Sequence, residues 1–217
     1  MIKTVFILLI TILFYSSVTR ASDLNEKYNS NLCKRYLNAY EKKYNMPRDL
    51  LKAIALTESG KWSKLLNKKI MWPWTINVEG KGYQFDNRYQ AIKAVKHFQN
   101  KGITSIDVGC MQINLKYHPE AFRTLNQAFE PRYNIGYAAK VINNKYSKNG
   151  DWETAIRHYH NVHEKYSDKY LKRVYENWGS KGKNINLAMV NYTKKYNIMQ
   201  NNKDSAAEAS KRELMDN

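Results

Sequence analysis

Glu58 is the residue whose placement asks for a chemical reason. It lies seven residues after Leu51 and four after Ile54, so in a helix it points along an apolar stripe and not into water. It also stands in the last turn before Gly60, where the helix dipole disfavours a carboxylate. A glutamate set against both rules marks a place where function outweighs stability. Burial among Leu and Ile raises a carboxyl pKa and keeps the group protonated near neutral pH, the state required of a general acid toward an acetal oxygen. The same spacing also accommodates an ordinary helix-end pair with Lys61 or Lys64, and spacing alone leaves that reading open.

Other reactive types are less well placed. His158, His160 and His163 are separated by steps of two and three, which do not stack on one helix face, and no cysteine or paired carboxylate lies near to complete a metal site. No metal and no cofactor is expected, and there is no glycine-rich phosphate loop. Ser59 has no base beside it except Glu58, so it reads as support for the glutamate and not as a nucleophile. Asp107 is the nearest second carboxylate, expected to fix a strand-to-loop turn through backbone hydrogen bonds.

These residues need positioning elements. Residues 22–46 carry Leu32, Tyr36, Leu37, Tyr40 and Tyr44 near helical spacing. Pro47 suits the first position of the helix that bears Glu58, with Gly60 as its stop. Thr75–Val78 and Tyr83–Phe85 flank a glycine-containing turn and predict a hairpin, and Ile103–Val108 predicts a third strand. Asp86 is the expected cap of a helix through Gln99. Four helical stretches follow, over 119–125, 131–146, 151–159 and 168–178. The fold class is α+β, predominantly helical, with a small antiparallel sheet over about residues 74–108 inserted between helices.

Length and charge bound the rest. The 217 residues suit one domain, and the N-terminal 21 have the three-part layout of a secretory signal: Lys3, an apolar run from Val5 to Tyr15, and residues 16–21, small apart from Arg20 and ending at Ala21. The chain is therefore expected in the periplasm or secreted, touching a membrane only through that segment if it is uncleaved. Residues 22–179 form the expected domain and 180–217 a polar, basic tail. With 36 basic against 19 acidic residues, the net charge of +17 favours an anionic polymer or surface. No nucleic-acid motif is present, and no nucleic acid is expected as a partner. Two cysteines in an exported chain, Cys33 and Cys110, read first as a disulfide, with two separately buried thiols as the alternative.

Five segments together resemble one family. Ala55-Leu56-Thr57-Glu58-Ser59-Gly60, Gly109-Cys110-Met111-Gln112-Ile113-Asn114, Asn134 with Gly136-Tyr137-Ala138-Ala139, Ala155-Ile156-Arg157-His158-Tyr159-His160-Asn161 and Tyr170-Leu171-Lys172-Arg173-Val174 are similar, in order, to the motifs of lytic transglycosylases with the soluble lytic transglycosylase (goose-lysozyme-like) domain. Cys110 stands where leucine is commoner, and His160 where asparagine is usual. The resemblance implies a lysozyme-like fold and peptidoglycan glycan strands as substrate, cut at the MurNAc–GlcNAc β-1,4 bond. It makes Glu58 the single acid and base, with the MurNAc C6 hydroxyl closing on C1 to leave a 1,6-anhydro end. Ser59, Met111, Gln112, Asn114, Tyr159 and Tyr170 become the candidate substrate contacts, Tyr159 ahead of Tyr170. Trp72, Trp74 and Tyr83 are further aromatic candidates for sugar stacking. Components of a secretion machine are possible partners. The rival readings are a goose-type hydrolytic muramidase and a non-catalytic peptidoglycan-binding accessory of a secretion system.

Overall fold

The computed structural model describes the backbone of residues 2–160 and 164–179, and the side chains of residues 23–160 and 166–179. The side chains of the expected signal segment, His163 and the tail expected over 180–217 lie outside the described residues. Met1–Asn177 make one compact unit; of a second, Trp178–Asn217, only the first two residues are described.

Helix α1 runs Ile2–Lys43 and is followed by α2, Leu50–Ser59. The chain then makes two hairpins, β1 (Gly60–Ser63) with β2 (Lys68–Met71) and β3 (Thr75–Val78) with β4 (Lys81–Gln84). Helix α3 (Arg88–Asn100) leads to β5 (Ile106–Val108) and β6 (Ile113–Asn114). The rest is helical: α4 (Leu125–Phe129), α5 (Pro131–Asn149), α6 (Trp152–His160) and α7 (Glu164–Trp178). The fold is α+β, mostly helical, with two small antiparallel sheets, ordered β1-β2 and β4-β3-β5-β6.

The four-stranded sheet has two different faces. Ile76 and Val78 of β3 pair with Val108 and Ile106 of β5, and all four are buried. They pack with Trp72, Trp74, Ala91, Val95 and Phe129 into one core cluster. Side chains alternate along a strand, so the residues between them face the other way. The β3–β4 turn is Glu79-Gly80, both with positive φ (51° and 90°), the backbone pattern of a tight type I′ hairpin.

Several boundaries differ from the sequence reading. Helix α2 begins at Leu50, three residues after Pro47, because Asp49 turns into the left-handed region (φ 64°) just before it. The buried carboxylate of Glu41 caps this start from α1, accepting Asp49 N–H at 3.0 Å and Leu51 N–H at 2.9 Å. Asn87 caps α3 in place of Asp86, accepting from Gln90 N–H. No helix spans 119–125; Thr124 caps α4 instead, and the chain before it is turns. The β1–β2 hairpin was not legible: its strands alternate poorly and its loop has no glycine, Asn67 supplying the positive φ of 45°. The sheet also extends past residue 108 into β6.

Candidate active site

Glu58 sits in the last turn of α2, half-buried, with Leu51, Ile54 and Ala55 buried on the same helix. Gly60 continues directly into β1 with extended backbone (φ −68°). A Cβ there would run into the Leu56 carbonyl oxygen and the Lys69 side chain, so close approach and not a special dihedral demands glycine. The chain thus leaves the helix immediately after Glu58 and opens a groove of about 320 Å³ lined by Glu58, Ser59, Thr75, Asn77, Tyr83 and Gln112, among others.

Two residues of α7 brace this end of α2. The Tyr170 hydroxyl donates to Glu58 Oε1 at 2.6 Å, and the Arg173 guanidinium donates to the Thr57 carbonyl at 2.9 Å, one residue away. Burial drives the Glu58 pKa up to about 7, the Tyr170 hydrogen bond pulls it down, the Asp107 charge adds to the rise and Arg173 opposes it. His160, where the motif has asparagine, stacks on the Tyr170 ring with centroids 4.6 Å apart and planes 6° apart. Burial and Arg173 both lower its pKa, which keeps the stacked imidazole neutral.

The loop opposite Glu58 is pinned from behind. Asn134, fully buried on α5, accepts Met111 N–H at 2.9 Å and donates to the Val108 and Ala128 carbonyls at 2.9 Å each. Gly109 has φ +83°, and a Cβ there would strike that asparagine. The Ser59 hydroxyl donates to the Cys110 carbonyl at 2.8 Å, and Tyr159 donates to the Met111 carbonyl at 2.7 Å. Cys110 is bonded to Cys33 of α1, with Cα atoms 5.9 Å apart. Backbone, disulfide and three side chains therefore fix this wall of the groove.

The sequence-derived candidates separate into two groups. Glu58, Ser59 and Gln112 line the groove together, and Tyr170 reaches it through Glu58. Gln112 takes a left-handed backbone (φ 48°) and donates to the Gly109 and Thr75 carbonyls, at 2.9 and 3.1 Å. Met111 is fully buried, so its side chain is core and only its backbone takes part, through the N–H to Asn134 and the carbonyl from Tyr159. Asn114 is engaged with Asp107, Ser105 and two backbone N–H groups. Trp72 and Trp74 are buried with their indole N–H groups bonded to Phe85 O and Asn29 Oδ1, whereas Tyr83 lines the groove. Asn77 and Thr75 also line it, and the alternation Thr-Ile-Asn-Val is the sequence signal for their shared face.

A family model described as the transglycosylase SLT domain matches residues 35–179. The chain belongs to that family. The matched SLT domain runs from the C-terminal part of α1 through α7 and contains every residue of the groove. Its family makes peptidoglycan the substrate class and lytic transglycosylase the class of activity. No curated protein and no solved structure matched the chain.

Proposed function

We propose that this SLT-domain protein is an exported lytic transglycosylase that cleaves the MurNAc–GlcNAc β-1,4 bond with Glu58 as both acid and base. The observation that carries the reading is the state of Glu58: a groove-lining carboxyl whose pKa, near 7, makes proton donation and return comparable in cost at neutral pH. Tyr170 holds one oxygen, leaving the other for the substrate. Protonated Glu58 gives its proton to the glycosidic oxygen as the C1–O bond breaks. The resulting carboxylate then takes the proton of the MurNAc C6 hydroxyl while that oxygen closes on C1. Atoms balance without water, and Glu58 ends protonated for the next cycle.

Export, and with it a periplasmic or extracellular location, is supported by the charge and apolar pattern of the first 21 residues. Digestion of purified peptidoglycan by the full chain, with mass spectrometry of the released fragments, tests the reading. Fragments with 1,6-anhydro ends are expected; reducing ends would assign hydrolysis, and no release would leave a binding protein.

A further inference from the structure

One row of side chains crosses the four-stranded sheet beside Glu58. Gly82 of β4 stands opposite Asn77 of β3, Asn77 opposite Asp107 of β5, and Asp107 opposite Asn114 of β6. Directly opposed residues of antiparallel strands project to the same face. The flanking Ile76, Val78, Ile106 and Val108 fill the core, so this row faces away from it. Gly82 and Asn77 line the groove together with Glu58, which puts Asp107 on the groove side of the sheet.

Asp107 does not fix a turn, as its position in the sequence led us to expect. Its Oδ1 accepts from Asn114 Nδ2 at 2.8 Å, and among the described residues no backbone N–H and no cation is paired with it. Asn114 is itself clamped: its Nδ2 also meets Ser105 Oγ at 3.2 Å, and its Oδ1 accepts Lys116 N–H at 3.0 Å and Tyr117 N–H at 3.2 Å. A half-buried carboxylate that has, among the described residues, one amide donor and no counter-charge is costly in the resting protein. A positive centre entering the groove relieves that cost.

We propose that Asp107 is a second catalytic carboxylate, aimed from the sheet at the sugar carbon where positive charge develops as the glycosidic bond breaks. The proposal rests on the reading of Glu58 as proton donor. Asp107 forms no bond and exchanges no proton. The electron pair of the breaking bond leaves with the oxygen that Glu58 protonates, and Asp107 balances the deficit at C1 until the C6 oxygen closes on it. Two carboxyl groups in different surroundings divide the work: Glu58, on the apolar stripe of α2, keeps its proton, and Asp107, whose pKa burial raises and the Asn114 amide lowers, acts as the anion.

Asp107→Asn tests this in the full chain. The charge is needed only in the transition state, so kcat should fall about a hundredfold or more while KM changes little. The high-pH limb of the profile, set by Glu58, should move to lower pH because a like charge is gone. Tyr159 of α6 and Tyr170 and Arg173 of α7, the other titratable groups facing Glu58, are unchanged. Should this variant lose its cooperative melt, Asp107→Ala takes its place with the same readouts. In the wild type, kcat should also fall on the acid side as Asp107 takes up a proton, and a flat acid side would overturn the proposal without any variant. Turnover near wild type, or a loss with the high-pH limb unmoved, overturns it as well. An active wild type, an inactive Glu58→Gln and an indifferent Asp107→Asn would isolate the failure to Asp107.

Discussion

The hydroxyl of Tyr170 lies 2.6 Å from Oε1 of Glu58, across 112 residues of sequence. With Glu58 as the proposed acid and base, that contact makes α7 part of the proton-transfer apparatus and not only a closing helix. On the same reading Tyr170 matters ahead of Tyr159, which donates to the Met111 carbonyl in the wall of the groove.

Tyr170→Phe should lower turnover by about tenfold, the effect of losing one hydrogen bond to a charged group. That bond favours the ionised carboxylate, so its loss should also move the high-pH limb upward. Tyr159→Phe should leave the limb in place and lower stability by about 1–3 kcal/mol, because a carbonyl in the groove wall loses its donor. pH–rate profiles and thermal melts of both variants check the division. A shifted limb in Tyr159→Phe and none in Tyr170→Phe would restore the order expected from the sequence.

Glu58→Gln should abolish cleavage and make the protein more stable in alkali. The folded pKa of about 7 exceeds the ordinary 4.5, so the folded state holds this proton more tightly than the unfolded chain. The stability linked to it is fully present below about pH 4.5 and is lost as pH rises through 7. Glutamine has no proton to lose and can still accept from Tyr170. Melting temperatures should match near pH 4 and separate above pH 7 by the equivalent of about 3 kcal/mol in favour of the variant. Equal melts at pH 8 would show that burial of Glu58 costs nothing.

Reduction of the Cys33–Cys110 bond, or Cys33→Ser with Cys110→Ser, should destabilise the fold by about 2–5 kcal/mol, as expected for closing a long loop. The bond spans 77 residues and ties α1 to the wall opposite Glu58. Melts with and without reductant measure it, and an unchanged midpoint would make the bond dispensable.

Glu41→Ala should cost about 2 kcal/mol, more than an ordinary surface cap, because it strips the acceptor from two N–H groups at the start of the helix carrying Glu58. Burial raises the Glu41 pKa, and the N–H groups it accepts lower it. Urea titration of the variant gives the value directly. A loss below about 0.5 kcal/mol would mean that water replaces the carboxylate as the cap.

Local rules made much of this protein legible in its sequence. The spacing of Leu51, Ile54 and Glu58 implied a carboxyl group on an apolar helix face, because helical periodicity decides direction before any tertiary contact forms. Alternation around Ile76 and Val78 placed the β3–β4 hairpin. Pairings over long separations were not legible. Glu41 capping α2, Tyr170 on Glu58, His160 on Tyr170 and Asn134 behind Gly109 each depend on where distant segments meet, and periodicity carries no information about that. Asp107 shows the boundary most clearly. Its setting between Ile106 and Val108 already dictated that it faces away from the core, but only the register of β3, β5 and β6 put Asn77 and Asn114 on either side of it.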